Sequence, residues 1–249
     1  MTTTRREPFD PAKSDDPVAQ KTEWTPASGG GASFRTHGLV VRGERARFRA
    51  SLGMVSFAGV FFTIGMVFIV VTPRCVTAIE ESVNEMEAEA ARKRAEADDA
   101  VDEIASEAEV EREEKIPIEE STWIIYYPFM GFGVLFAGAG LLFFYRGARP
   151  ATFHKGAGIY YKGYLPPRRM EDIVPPRAAK LADIHAIQLI SEHCSGTGSS
   201  PGFTSHELNI VLHDGRRANV IDHGTPDRLR RDAAALGEFL GVPVWDASE

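Results

Sequence analysis

The hydrophobic positions of this chain keep one spacing within each stretch and change it abruptly between stretches. From Met1 to about Gly43 no apolar period exists; Thr, Pro, Asp, Ser and Gly dominate, with PASGGGAS at residues 26–33, a composition that predicts a disordered tail over 1–43. Charge then disappears between Arg49 and Arg74. The run SLGMVSFAGVFFTIGMVFIVVT, Ser51 to Thr72, is long enough as a helix rising ~1.5 Å per residue to cross a ~30 Å hydrocarbon core. A second apolar run extends from Trp123 to Tyr145. These runs predict transmembrane helices over 50–72 and 122–145.

Between them the pattern is that of a polar helix. The stretch AIEESVNEMEAEAARKRAEADDAVDEIASEAEVEREEK contains no Gly or Pro and is rich in Ala and Glu. Ile79, Val83, Met86, Ala90, Ala97, Ala100 and Ile104 follow a 4-3 spacing interrupted by Lys93, the seam of a weak coiled coil. A single helix of such length would carry the chain ~60 Å away, yet Trp123 must lie at the bilayer surface. The segment 73–121 is therefore expected to break, with the Asp98-Asp99 pair as the break, and to return as an acidic hairpin. Pairing within one chain and pairing between chains both fit the seam.

After Arg149-Pro150 the period falls to two. Thr152–Lys155 and Ile159–Lys162 flank Gly156-Ala157-Gly158 as a hairpin, and Ile184–Cys194, Glu207–Leu212 and Arg217–Asp222 read as further strands. A Pro/Arg loop occupies 166–177. Helical spacing returns at Pro226–Leu240, with Thr225 as N-cap, Pro226 at N1, Gly241 as terminator and Leu229, Ala233, Leu236 and Leu240 in one stripe. The fold class expected is two transmembrane α-helices, an external acidic helical hairpin, and a C-terminal α+β domain over 150–249 with an antiparallel sheet closed by one helix.

Charge orients this arrangement. Through Ala50 nine Lys/Arg face six Asp/Glu, from Val71 to Glu120 six face seventeen, and from Arg146 onward thirteen face twelve. Arg42, Arg45, Arg47 and Arg49 precede the first span; Arg146, Arg149, Lys155 and Lys162 follow the second. By the positive-inside rule the chain is a multi-pass protein of the inner membrane, with both termini cytoplasmic. A cleaved signal peptide ending near Val76-Thr77-Ala78 is the rival reading, but its apolar core would be only ~7–15 residues behind a short leader. The near-neutral C-terminal region excludes a strongly basic nucleic-acid footprint.

Small residues Gly53, Ser56, Gly59, Thr63 and Gly65 in the first span, and Gly131, Gly133, Ala137 and Gly140 in the second, predict close antiparallel packing of the two helices. The only cysteines, Cys75 and Cys194, fall on opposite sides in this topology and cannot pair within one chain.

Candidate chemistry rests on strand register. A three-residue loop with Gly215 left-handed pairs Leu212 with Arg216, Ile210 with Ala218 and Leu208 with Val220, keeping one face apolar. Continuing across 195–204 pairs Leu189 with Ile210 and His193 with His206, and sets His206 opposite Asp222. His193, His206 and Asp222, with Cys194 and His223 nearby, would then resemble a transition-metal ligand set. The sequence contains no nucleophile motif, phosphate loop or dinucleotide fingerprint. Arg168, Arg169, Arg177 and Lys180 form a basic segment suited to lipid headgroups.

The stretches LADIHAIQLISEHC, HELNIVLHDGRRANVIDHG and TPDRLRRDAAALGEFLGVPVWD resemble the C-terminal region of uncharacterised bacterial integral-membrane proteins. Preceded by TFHKGAGIYYKG, they are also similar in layout to bacterial pleckstrin-homology-like domains that follow paired transmembrane helices. The resemblance covers roughly the last hundred residues and implies an interaction module without catalytic residues or cofactor. The function expected is a non-enzymatic scaffold that meets membrane lipid and either a protein partner or further copies of itself. Neither nucleic acid nor a small-molecule substrate is expected. A membrane-anchored metal enzyme or sensor using His193, His206 and Asp222 is the alternative.

Overall fold

Arginines 45, 47 and 49, which look like a topology signal, alternate with Ala46, Phe48 and Ala50, and this period of two is the signature of a half-buried strand. The structure, a computed structural model describing residues 7–27, 29–98, 118–196 and 201–248, contains that strand. It divides into two compact units, Met1–Phe57 with Phe143–Glu249, and Ala58–Leu142.

The first unit opens with a short helix α1 (Pro17–Lys21), capped by Asp16, whose carboxylate accepts the Val18 N–H at 2.9 Å. Strands β1 (His37–Arg42), β2 (Arg45–Ala50), β3 (Ala151–His154), β4 (Ile159–Lys162) and β5 (Ala178–Lys180) form an antiparallel sheet in chain order. Strand β2 pairs directly with β3, Phe48 facing Ala151 and Arg45 facing His154, although 100 residues separate Ala50 from Ala151. The sheet-rich region therefore does not begin at 150. Its first two strands precede the first long helix, and the apolar helices are an insertion between neighbouring strands.

A second sheet has the order β8-β7-β6-β9, formed by β6 (Ile184–Cys194), β7 (Phe203–Leu212), β8 (Arg217–His223) and β9 (Val244–Asp246), the last parallel to β6. Phe48, Phe153 and Tyr160 from the first sheet, Ile187, Leu189, Leu208 and Ile210 from the second, and Leu229, Ala233 and Leu236 belong to one core. Each large apolar side chain buried there contributes roughly 1.5–3 kcal/mol.

The two long helices are α2 (Leu52–Asp98) and α3 (Ile118–Gly147), both long and apolar enough in part to cross a membrane. In the second unit they pack antiparallel through their glycines. A methyl group added at Gly65 would lie 2.5 Å from the Gly133 carbonyl oxygen, and one at Gly140 would lie 2.5 Å from the Phe62 nitrogen and 2.9 Å from the Ala58 oxygen. Phe68 meets Phe132 edge-on at 5.1 Å beside this contact. Large apolar side chains such as Val60 and Leu135 point outward, 56% and 66% exposed, as lipid-facing residues would.

Helix α2 continues through Pro73 and Arg74 without interruption to Asp98. The first apolar run and the start of the acidic segment are therefore one helix, ~70 Å long at ~1.5 Å per residue. The expected break at Asp98-Asp99 and the return of the chain lie outside the described residues.

Finally α4 (Pro226–Leu240) packs on the core and ends at Gly241, whose φ of 74° is the left-handed cap a glycine allows. Thr225 has the extended backbone of an N-cap but makes no side-chain cap bond.

Candidate functional site

The proposed ligand trio is not assembled. In the β6–β7 pair Ser191, not His193, lies opposite His206, while His193 lies opposite Thr204. The true register is displaced by two residues, which leaves every side chain on its expected face and so is invisible to burial arguments. Between β7 and β8 the three-residue loop is present: the Leu212 N–H donates to the Arg216 carbonyl at 2.8 Å, and Gly215 has φ 87°. Ile210 pairs with Ala218, but an irregularity then inserts Val220, so Leu208 meets Ile221, Glu207 meets Asp222 and His206 meets His223. One extra residue moves Asp222 to the opposite face from His206.

His193 and His206 do line one surface hollow with Trp24, Ser191 and Thr204. Asp222 instead accepts a hydrogen bond from Asn219 Nδ2 at 2.8 Å, and burial pushes its carboxyl up to about 6. His223 Nδ1 accepts the Thr225 N–H at 2.9 Å, and burial pushes this imidazole down to about 4. Among the described residues no group of three His, Cys, Asp or Glu is arranged to hold a metal.

The polar residues of this sheet fasten the chain's own N-terminal segment. Glu207 is fully buried, and its carboxylate accepts the Ala27 N–H at 2.8 Å and an Asn209 amide hydrogen at 3.1 Å. Gln188 donates to the Glu23 carbonyl at 3.0 Å. Arg217 donates to the Thr25 carbonyl at 2.7 Å and pairs with the Glu23 carboxylate at 3.0 Å. Further along, Ser205 Oγ accepts the Ala32 N–H at 3.0 Å, and a side chain at residue 31 would collide with Ser205.

Nearer the terminus Phe9 and Trp24 gather on Trp245, with ring centroids 5.5 and 5.8 Å away, and Asp16 contacts His185 Nε2 at 2.7 Å. The segment expected to be disordered over 1–43 thus contains β1, α1 and a strap laid over the outer face of the second sheet. Its low apolar content misleads because the sheet supplies the partners, polar side chains aimed at strap backbone.

The first unit also has an open cleft of about 1230 Å³. It is lined by Tyr145 and Arg146 of α3, by Arg149, by Lys162 of β4, by Arg177 before β5 and by Lys21 of α1, among others. Arg149 stands 5.1 Å over the Tyr145 ring, and Tyr145 stacks on Tyr164 at 5.6 Å. Lys162 Nζ donates to Asn219 Oδ1 at 3.0 Å and to its carbonyl at 3.3 Å, and burial lowers the lysine's pKa. The cleft's two carboxylates are already engaged, Glu23 by Arg217 and Asp214 by Arg216 at 2.7 Å.

Of the basic loop expected to meet lipid, Arg177 alone lines this cleft; Arg169 pairs with Glu171 at 3.0 Å. The remaining cations come from separate stretches that only folding gathers, so no local signal marks them. Comparison with known proteins finds no matching family model, no similar curated protein and no similar solved structure.

Proposed function

We propose that this chain is a non-enzymatic integral membrane protein that serves as an interaction or scaffold module. In this reading α2 and α3 cross the inner membrane, both termini and the pleckstrin-homology-like α+β domain are cytoplasmic, and the acidic helical segment lies outside. Protein partners, or further copies of the chain, dock on either side.

The observation that carries the reading is the insertion of both helices between paired strands. Because β2 runs into α2 after Ser51, and α3 runs into β3 after Gly147, the external segment has two covalent routes into one sheet. A load applied outside would reach neighbouring strands inside. The polar groups best suited to chemistry, among them Glu207 and Arg217, are engaged in holding the strap, which favours a structural use over catalysis.

Two measurements test it. Cys75 is exposed on α2, so in a Cys194→Ser background it should react with a membrane-impermeant maleimide applied to cells whose inner membrane is intact. Labelling only after that membrane is permeabilised would reverse the topology. Cross-linking in living cells should capture a defined protein or a second copy; recovery as a lone monomer would overturn the scaffold reading.

A further inference from the structure

The cleft at the root of α3 has more positive charge than membrane topology requires, and the charge is collected in one place. With Glu23 and Asp214 already paired to arginines, Lys21, Arg146, Arg149, Lys162 and Arg177 have no carboxylate within 4.0 Å among the described residues. The positive-inside rule asks only that cations flank a span in sequence, and any exposed position satisfies it. Here they arrive from α1, from the end of α3, from β4 and from the segment before β5, and converge on a single hollow.

Lys162 is the residue that topology least explains. Its ammonium is half-buried and donates to two oxygens of Asn219; the Asp222 and Glu207 carboxylates favour its charge from beyond 4.0 Å but do not contact it, so its burial is only partly offset and a directly bound anion would complete it. Guanidinium groups with an adjacent ammonium form a donor set suited to phosphate oxygens, since Arg offers paired N–H groups and Lys a point charge. The rim is aromatic where α3 ends. Tyr145 stacks on Tyr164, and the Tyr164 hydroxyl donates to the Tyr145 carbonyl at 3.3 Å, giving an amphipathic lip of the kind found at the bilayer interface.

We propose that this cleft binds an anionic phosphate group, carried either by an acidic lipid headgroup or by a soluble phosphate, with Lys162 at its floor and Arg146, Arg149 and Arg177 around it. The site stands independently of the scaffold reading, because it requires no protein partner.

The test uses the full chain in a phosphate-free maltoside detergent. Native mass spectrometry with added phosphatidylglycerol, against phosphatidylcholine as zwitterionic control, reads the lipid source; calorimetry with inorganic pyrophosphate reads the soluble source. Saturable binding of one equivalent of either probe supports the site and identifies which source fills it. Arg177→Gln, an exposed position whose replacement leaves the core untouched, should weaken that binding roughly 5-fold, the effect of one cation near an anionic surface. Lys162→Met should weaken it at least as much. Arg42→Gln removes an equal charge from the exposed end of β1 and should leave it unchanged. Failure of both probes to saturate, or an Arg42→Gln loss equal to that of Arg177→Gln, would overturn the proposal.

Discussion

His37 and His223 are both buried, and burial holds each near pKa 4 rather than the ordinary 6.5. The unfolded chain takes up protons at these imidazoles below about pH 6.5 that the folded chain refuses until about pH 4. Stability should therefore rise with pH across that window, by on the order of 3 kcal/mol per histidine at the limit. Asp222 acts in the opposite sense. Folded, it keeps its proton to about pH 6 instead of 3.8, so its contribution declines as pH rises between those values. Two histidines outweigh one aspartate, and thermal melting in detergent should show a net gain from pH 4 to 6.5. His37→Gln with His223→Gln should flatten that slope, and Asp222→Asn should steepen it. Glu207 offers a second test at this scale. Glu207→Ala removes the acceptor for the Ala27 N–H and should cost about 1–3 kcal/mol, with earlier proteolysis at residues 23–34.

Among the elements, the helix pair was legible because its determinants are local. Of the small residues expected at the contact, Gly65, Gly133 and Gly140 lie where the backbones approach, whereas Gly59 and Gly131 have open space around them. Gly65→Val and Gly140→Val should lower the helical melting temperature in detergent, whereas Gly131→Val and Gly138→Val, with open space around them, should not. The strands and the terminal helix were partly legible. Ile184–Cys194 and Pro226–Leu240 match their sequence-derived limits, as periodicity over ten residues or more allows. The pairing between β6 and β7 was not, since a two-residue displacement preserves burial. The ligand trio failed for this reason, compounded by the extra residue at Val220.

For the molecule as a whole, the domain boundary is the largest revision. Residues 150–249 alone lack β1, β2 and the strap, and that fragment should not give a dispersed NMR spectrum. Joining 7–50 to 148–249 through a short Gly/Ser linker, which replaces the apolar helices with a β2–β3 turn, should yield a soluble folded domain. Failure of the fusion to fold would mean that the helices are part of the domain's stability rather than an insertion in it.

By itself the sequence determined what nearest neighbours along the chain can decide. It specified two apolar helices, a polar helical stretch between them, the β3–β4 hairpin, the three-residue loop between β7 and β8 and the terminal helix, because hydrophobic period and turn chemistry act over a few residues. Tertiary structure alone decided which strands adjoin across 100 residues, which face Asp222 occupies, where the N-terminal segment lies and which cations share a cleft. Those outcomes depend on the packing of one sheet against another and on polar side chains finding a distant backbone, interactions that leave no periodic trace along the chain.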